Sequence, residues 1–411
     1  MASIRTLAPV ALVGAAALLA TSGANAAPPP AAAPAALPGA ANDLTPADLE
    51  FGPLGLRFPA VDGARIPTPQ EALDTLVADG AVGAVGAVQK GARHGEWSAG
   101  KRRIWTGLKA GPHAEFRVAS NTKTMVATLV MQMIERGHWR LTDTIDDIAP
   151  GLVPGRGDIT LEQLLSHRSG MPDGLVVAIG LHMDDPNSWD DFFGALEDDY
   201  SDQEIIDAAL LTPWLFEPGS NYSYSNAGYV VLGQLLQRHT GKSLSTLMKQ
   251  RIFTPAGMHN SAFPTRPRAG MTSRSMIGAA RTVSRWYSLA HFNPEVFSAA
   301  GAATSTARDM VKFADALNSG VLVKRSTLNQ MRTPRTFGAV QYGLGMWRLP
   351  DPCRPSSYIF GHDGLAFGTL SFAVSSADGT RQAALGVSGR YYAPIPYDIN
   401  AAALALAAAT C

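Results

Sequence analysis

The chain has 411 residues, 46 % of them hydrophobic, with 34 Lys and Arg against 34 Asp and Glu and a formal net charge of zero. That length can bury a large core. The balanced charge, with no basic run, argues against nucleic acid and anionic membrane surfaces as partners.

Arg5, an apolar run from Leu7 to Ala20 and the triplet Ala24-Asn25-Ala26 have the three parts of an export signal, over residues 1–26. They predict cleavage before Ala27 and a secreted product. An uncleaved anchor is the competing reading, but Pro9 and Gly14 interrupt a run already short for a bilayer. Residues 27–45, rich in Ala and Pro at their start, are expected to be a disordered tether. This leaves 46–411 as one globular domain.

Gly80 to Lys90 is rich in small and β-branched residues, and Trp97 to Trp105 continues in that vein. Two paired strands are predicted, joined by turn residues between Gly91 and Gly95. Phe116-Arg117-Val118 reads as a short strand. The periodicity then changes: Met125, Val126, Leu129, Val130, Met133 and Ile134 recur at three and four, predicting a helix from Ser120 to Arg136 stopped by Gly137. Apolar helical faces follow at Thr160 to Leu165, Gln203 to Leu211, Asn226 to His239, Ser243 to Ile252 and Ala307 to Asn318. Sheet signals return at Ser357 to Phe360, leading into Gly361-His362-Asp363-Gly364. Thr369 to Val374 and Gln382 to Val387 flank Asp378-Gly379, a hairpin signal. An Ala-rich helix closes the chain from about Asp398. Strands at both ends should share one sheet, with a helical lobe over about 124–330.

Ser120-Asn121-Thr122-Lys123 sets a hydroxyl and an amine three residues apart, on one face of a helix at its N-terminal end. A serine alcohol becomes a nucleophile when a base takes its proton, and a lysine is that base only if burial leaves it neutral. Ser98-Ala99-Gly100-Lys101 has the same spacing, but in a strand its two side chains point to opposite faces. At Tyr224-Ser225-Asn226, a helix entrance, either Tyr224 and Asn226 both face a cleft or Tyr224 is core and Asn226 caps the helix. His362 either presents its imidazole to that cleft or is a satisfied structural group.

Together and in this order, the three segments resemble the serine penicillin-binding proteins and class C β-lactamases, most closely their secreted D-alanyl-D-alanine carboxypeptidase branch. The resemblance runs from about residue 70 to the end. It includes Leu164-Leu165-Ser166-His167-Arg168-Ser169-Gly170, the run from Phe216 to Gly228, and Tyr342-Gly343-Leu344-Gly345. It implies an α/β fold of the β-lactamase/DD-peptidase kind: an antiparallel sheet flanked by N- and C-terminal helices, an all-helical lobe, and the active site between them. By position, it implies Ser120 as the acylated nucleophile, Lys123 as its proton acceptor and Tyr224 as the group that passes a proton to the leaving group. Asn226 would bind the acyl-side amide, and the N–H groups of Ser120 and Leu365 would form the oxyanion hole. Whether Lys123 or Tyr224 is the base in acylation stays open. His362 completes the implied catalytic set, standing where class C β-lactamases typically carry a lysine, a change that argues against efficient β-lactam turnover.

The same branch grips a substrate's terminal carboxylate with an arginine after the Gly-Leu-Gly-x segment and two hydroxyl residues around its His-x-Gly motif. Here Trp347, Asp363 and Leu365 hold those positions, with Gly364 between the last two. Like charges about 4 Å apart in a partly wet cleft repel by roughly 1 to 4 kcal/mol. A free carboxylate should therefore bind poorly unless Arg348 replaces the missing arginine. The implied protein is a monomeric D-peptidase or amidohydrolase acting on a small peptide or ester, peptidoglycan-derived peptides included. An esterase or aminolytic acyltransferase on the same machinery is the alternative, with a β-lactamase or β-lactam sensor further off.

Cys353 and Cys411 are the only cysteines. In an oxidising compartment an even pair favours a disulfide over two free thiols, and this pair looks like the bridge of the carboxypeptidase branch. Gly241-Lys242-Ser243 has the tail of a phosphate-binding loop, but Leu236 stands where its first glycine belongs. The nine histidines show no metal-ligand spacing, and no cofactor is implied.

Overall fold

The computed structural model describes residues 45, 46, 56, 66–265, 271–336, 341–392 and 395–411. All of these belong to the compact unit Ala41–Cys411. The expected signal, its cleavage site and the tether before Thr45 lie outside the described residues.

Strands from both ends of the chain meet in one six-stranded sheet. Its order is Arg93–Gly100, Gly83–Lys90, Arg381–Ser388, Thr369–Ser376, Arg354–Leu365, Trp347–Asp351. Every pairing is antiparallel, and Gly83↔Ser388 to Lys90↔Arg381 is the seam that joins the N-terminal hairpin to the C-terminal strands. Thr369–Ser376 and Arg381–Ser388 are buried along their whole length because both faces of the sheet are covered. Alternate residues serve different cores: Leu385 and Val387 pack with Leu73, Leu76 and Leu406 of the terminal helices, while Ala384 joins Phe116, Met125, Leu129 and Tyr229 of the helical lobe. The terminal helices are Pro69–Ala78, opened by a Thr68/Glu71 capping box, and Ile399–Ala408, capped by Asp398.

Between residues 121 and 332 the regular elements of the described chain are helices apart from three short strands, Ala279–Arg281, Trp286–Ser288 and Thr304–Ser305. The expected elements return with shifts that have local causes. The second strand begins at Arg93, earlier than its composition suggests, because Gly91 at φ +56° reverses the chain in two residues and Lys90 pairs with Arg93. The expected Ser243 to Ile252 helix is an α-helix over Leu244–Met248 that continues as a π-helix over Lys249–Phe253. Gly361 to Gly364 is not a loose strand end but the interior of Arg354–Leu365. A Cβ on Gly361 would stand 2.0 Å from the Ala373 carbonyl oxygen. Trp347–Asp351 went unread because Pro350 breaks the strand pattern. Proline is tolerated there because this is an edge strand, and the register shifts at Pro350/Asp351.

Cys353 and Cys411 form a disulfide across 58 residues. It ties the turn between Trp347–Asp351 and Arg354–Leu365 to the chain end beyond the last helix. On the chain-entropy model, closing such a loop is worth about 4 kcal/mol. A Cys353→Ser/Cys411→Ser variant is expected to unfold at markedly lower guanidinium concentration with an unchanged near-UV signature. An unchanged midpoint would show that the clamp adds nothing to stability.

Candidate active site

The turn that carries Ser120 is built by contacts between strand and helix. Ala119 sits at φ +47°, a left-handed conformation uncommon for a residue with a side chain. Ser371 Oγ donates to the Val118 carbonyl at 2.7 Å and accepts from Asn121 Nδ2 at 2.9 Å, pinning the turn to the sheet. The approach demands a glycine at 364, where a Cβ would meet Ser371 Oγ at 2.3 Å and the Val118 oxygen at 2.4 Å. Ser120 is the N-cap of the helix Asn121–Glu135, yet its side chain caps nothing. The hydroxyl is left at the positive end of the helix dipole, half-buried among buried neighbours.

One turn further, the Lys123 amine is buried. Nζ lies 3.0 Å from Ser120 Oγ, and donates to Asn226 Oδ1 at 2.7 Å and to the Ala300 carbonyl at 2.8 Å. The rings of Tyr224 and Tyr229 stand 4.7 and 5.7 Å away. Burial lowers its pKa from 10.5 to about 7, against the pull of the Asp173 and Asp363 carboxylates. The amine is therefore neutral in much of the protein near neutral pH. Ser98, the serine of the repeated spacing, lies on an outer strand opposite Val85, while Lys101 is exposed beyond that strand's end.

Ser225, not Asn226, is the N-cap of Asn226–Thr240, with its hydroxyl accepting from the Gly228 N–H at 3.1 Å. Asn226 is thereby the first helical residue, and its side chain is free to reach Lys123. Tyr224, just before the cap, is hydrogen-bonded to Ser120, and burial raises its pKa well above 10, so it stays a neutral phenol. His167 lies against Tyr224 with ring centroids 4.2 Å apart and the planes tilted by 31°, and its Nδ1 accepts from the Ser225 N–H at 3.1 Å. Burial above all lowers the His167 pKa well below its ordinary value and holds the ring neutral. Asp173 accepts from both the backbone N–H and the Nδ2 of Asn226. Sequence reasoning gave roles to neither His167 nor Asp173. His167 lay inside a quoted motif, and Pro172-Asp173-Gly174 reads as an ordinary turn.

The His362 imidazole is buried rather than solvent-facing, its side chain 1 % exposed and its ring centroid 6.3 Å from that of Tyr224. Nδ1 faces the Asp363 carbonyl, which only accepts, so that nitrogen carries the proton and Nε2 accepts from the Tyr342 hydroxyl at 2.9 Å. Burial lowers its pKa to about 4. Trp347 and Asp363 are likewise buried, and the Trp347 indole N–H donates to Asp363 Oδ1 at 2.6 Å. Arg348 is turned away, its Nε donating to Gln341 Oε1 at 2.6 Å and its guanidinium lying 3.9 Å over the Tyr358 ring. The one-residue rescue of a carboxylate clamp is therefore absent.

The neighbouring edge strand stops at Trp347↔Gly361, so residues 362–365 have an open edge on that side. Ala366 N–H bonds back to Thr369, and alternation along the strand turns the Leu365 N–H outward to the open edge. Among the described residues there is no group of three or more His, Cys, Asp or Glu fit to hold a metal ion, and no helix long and apolar enough to cross a membrane.

A family model described as Beta-lactamase matches residues 70–386. The chain belongs to that family. This β-lactamase-family chain is 27 % identical over 297 residues to Penicillin-binding protein 4 of Amycolatopsis lactamdurans, covering 67 % of this chain and 73 % of that one. It is 32 % identical over 188 residues to Esterase EstB of Burkholderia gladioli, covering 44 % and 47 %. The crystal structure of a D-stereospecific amidohydrolase from Streptomyces sp. superimposes with a TM-score of 0.73 at 27 % identity, covering 84 % of this chain and 98 % of that chain. The protein is thus a hydrolase of the serine β-lactamase and penicillin-binding protein superfamily.

Acylation of Ser120 by a small activated ester is expected to rise with pH through about 7. Below that value the protonated amine has no lone pair; above it the base is ready. A rate that stays flat across this range, or an acid limb near the usual pKa of histidine, contradicts the assignment.

Proposed function

We propose that the protein is an exported serine hydrolase that forms an acyl-enzyme on Ser120 and cleaves D-configured amides and related esters whose leaving group carries no free carboxylate. The observation that carries this reading is the buried Lys123 amine, 3.0 Å from Ser120 Oγ with its pKa brought down to about 7. In acylation, the Lys123 lone pair takes the Ser120 proton as Oγ bonds to the substrate carbonyl carbon. The N–H groups of Ser120 and Leu365 receive the oxyanion. Tyr224 is a poor base in this site because its phenol stays protonated. It serves instead to hand its proton to the departing nitrogen or oxygen and to recover one from Lys123. Water then enters on the same path in reverse and frees the acid. His362, buried and neutral, holds Tyr342 rather than moving a proton.

The leaving-group side gives the substrate its character. Asp363 and Trp347 stand where a carboxylate clamp is expected, and Arg348 is committed to Tyr358 and Gln341. Preference for D-configured acyl groups is supported by the likeness to the Streptomyces amidohydrolase. An ester-cleaving reading is favoured by the kinship with Esterase EstB.

The test is hydrolysis of N-acetyl-D-Ala-D-Ala as free acid, amide and methyl ester, beside the L,L forms, with Ser120→Ala as control. The D amide and ester are expected to turn over, with the free acid slower by about one to three orders of magnitude. Turnover of the ester alone moves the assignment to an esterase. Equal cleavage of the free acid contradicts the leaving-group argument, and activity surviving in Ser120→Ala overturns the mechanism.

A further inference from the structure

The segment from His167 to Gly174 touches the base only through another residue, yet it sets what that residue can do. The Asp173 carboxylate accepts from the Asn226 backbone N–H at 2.5 Å and from Asn226 Nδ2 at 3.1 Å, and its backbone carbonyl accepts from the Ala227 N–H at 3.1 Å. It thus supplies two of the acceptors that the first turn of Asn226–Thr240 lacks, with a negative charge at the positive end of the helix. Burial raises the Asp173 pKa to about 6, so from about pH 7 upward the carboxylate is ionised and can only accept, and the end of the Asn226 amide that faces it must be the NH2. The amide oxygen is thereby turned to Lys123 Nζ, 2.7 Å away.

We propose that Asp173 is a positioning residue that aims the Lys123 lone pair at Ser120 by fixing the direction of the Asn226 amide. This rests on the reading of Ser120 and Lys123 as nucleophile and base. A neutral amine has two hydrogens and one lone pair. Asn226 Oδ1 and the Ala300 carbonyl, at 2.7 and 2.8 Å, take the two hydrogens. The lone pair is left for the third neighbour, Ser120 Oγ at 3.0 Å. With the amide reversed, an NH2 would face Nζ, the lone pair would turn to it, and an N–H would point at the serine. The Ala300 carbonyl is set independently, because the Ala303 N–H donates to Thr122 Oγ1 at 3.2 Å on the same helix as the lysine. The titratable groups that interact with Lys123 are the carboxylates of Asp173 and Asp363 by charge at a distance, the neutral imidazoles of His167 and His362, and the phenols of Tyr224 and Tyr229 whose rings lie beside it. Of these, the two carboxylates raise the lysine pKa.

The experiment is the pH profile of Ser120 acylation by p-nitrophenyl acetate in the wild type, Asp173→Asn, Asn226→Ala and the double variant. Active sites are counted by labelling with a fluorophosphonate. Asp173→Asn is expected to lower the plateau acylation rate per labelled site by about tenfold or more. It should also move the acid limb to lower pH, because a carboxylate that favours the ammonium is gone. In the Asn226→Ala background the same substitution should still move the limb but leave the plateau unchanged. Asp173→Ser, which keeps an acceptor for the helix N-terminus, should show both changes, and is the variant to read if Asp173→Asn does not fold. A wild-type plateau and limb in these variants would overturn the proposal, as would an undiminished plateau loss in the Asn226→Ala background. A wild type that is never acylated at Ser120 would overturn the site reading itself.

Discussion

An ammonium group taken out of water costs several kcal/mol unless it is well paired, and at Lys123 that cost shapes everything around the reactive serine. The amine is enclosed by two tyrosine rings, an amide oxygen and a backbone carbonyl. These surroundings can hold a neutral amine with both hydrogens bonded, but they offer a full charge only distant carboxylates. The chain must therefore bring together a helix start at Ser120, a second helix start at Asn226, the short turn ending at Ala300 and the strand edge near Leu365. The six-stranded sheet does this by uniting both ends of the chain, which seats Gly364 against the nucleophile turn.

The site is asymmetric across the serine. On one side lie the groups to which the proposed mechanism gives the protons, Lys123 and Tyr224, with Asn226 and, behind them, His167 and Asp173. On the other, the open strand edge leads to a buried carboxylate bonded to an indole. Nothing about proton transfer requires that second arrangement, and the proposed function assigns it to selectivity. On that proposal a free carboxylate would meet a like charge in a medium less screening than water, and a neutral or cationic leaving group would not.

Much of this was legible in the sequence wherever the information is local. The three-four repeat after Ser120 announces the nucleophile helix, and Asp378-Gly379 announces the last hairpin, where Gly379 indeed adopts φ +74°. Choices between equivalent neighbours were not legible. Ser225 and Asn226 are both good caps, and only the packed structure shows that the serine caps while the asparagine serves the site. His362 follows the same pattern in reverse: its motif suggests exposure, but the strand interior and the Tyr342 hydroxyl hold it in the core. Asp173 acts on a residue 53 positions away, and the Ala300 contribution is a backbone carbonyl, for which no side-chain signal exists.

The central claim is that Lys123 is a neutral base in the resting protein. It can be measured directly by NMR titration of the lysine side-chain amines in 15N-labelled protein, with the Lys123 resonance assigned by comparison with Lys123→Met. The account predicts one lysine that loses its proton at about pH 7, apart from all the others. A Lys123 resonance that titrates with the surface lysines, at the ordinary value of about 10.4, would contradict it.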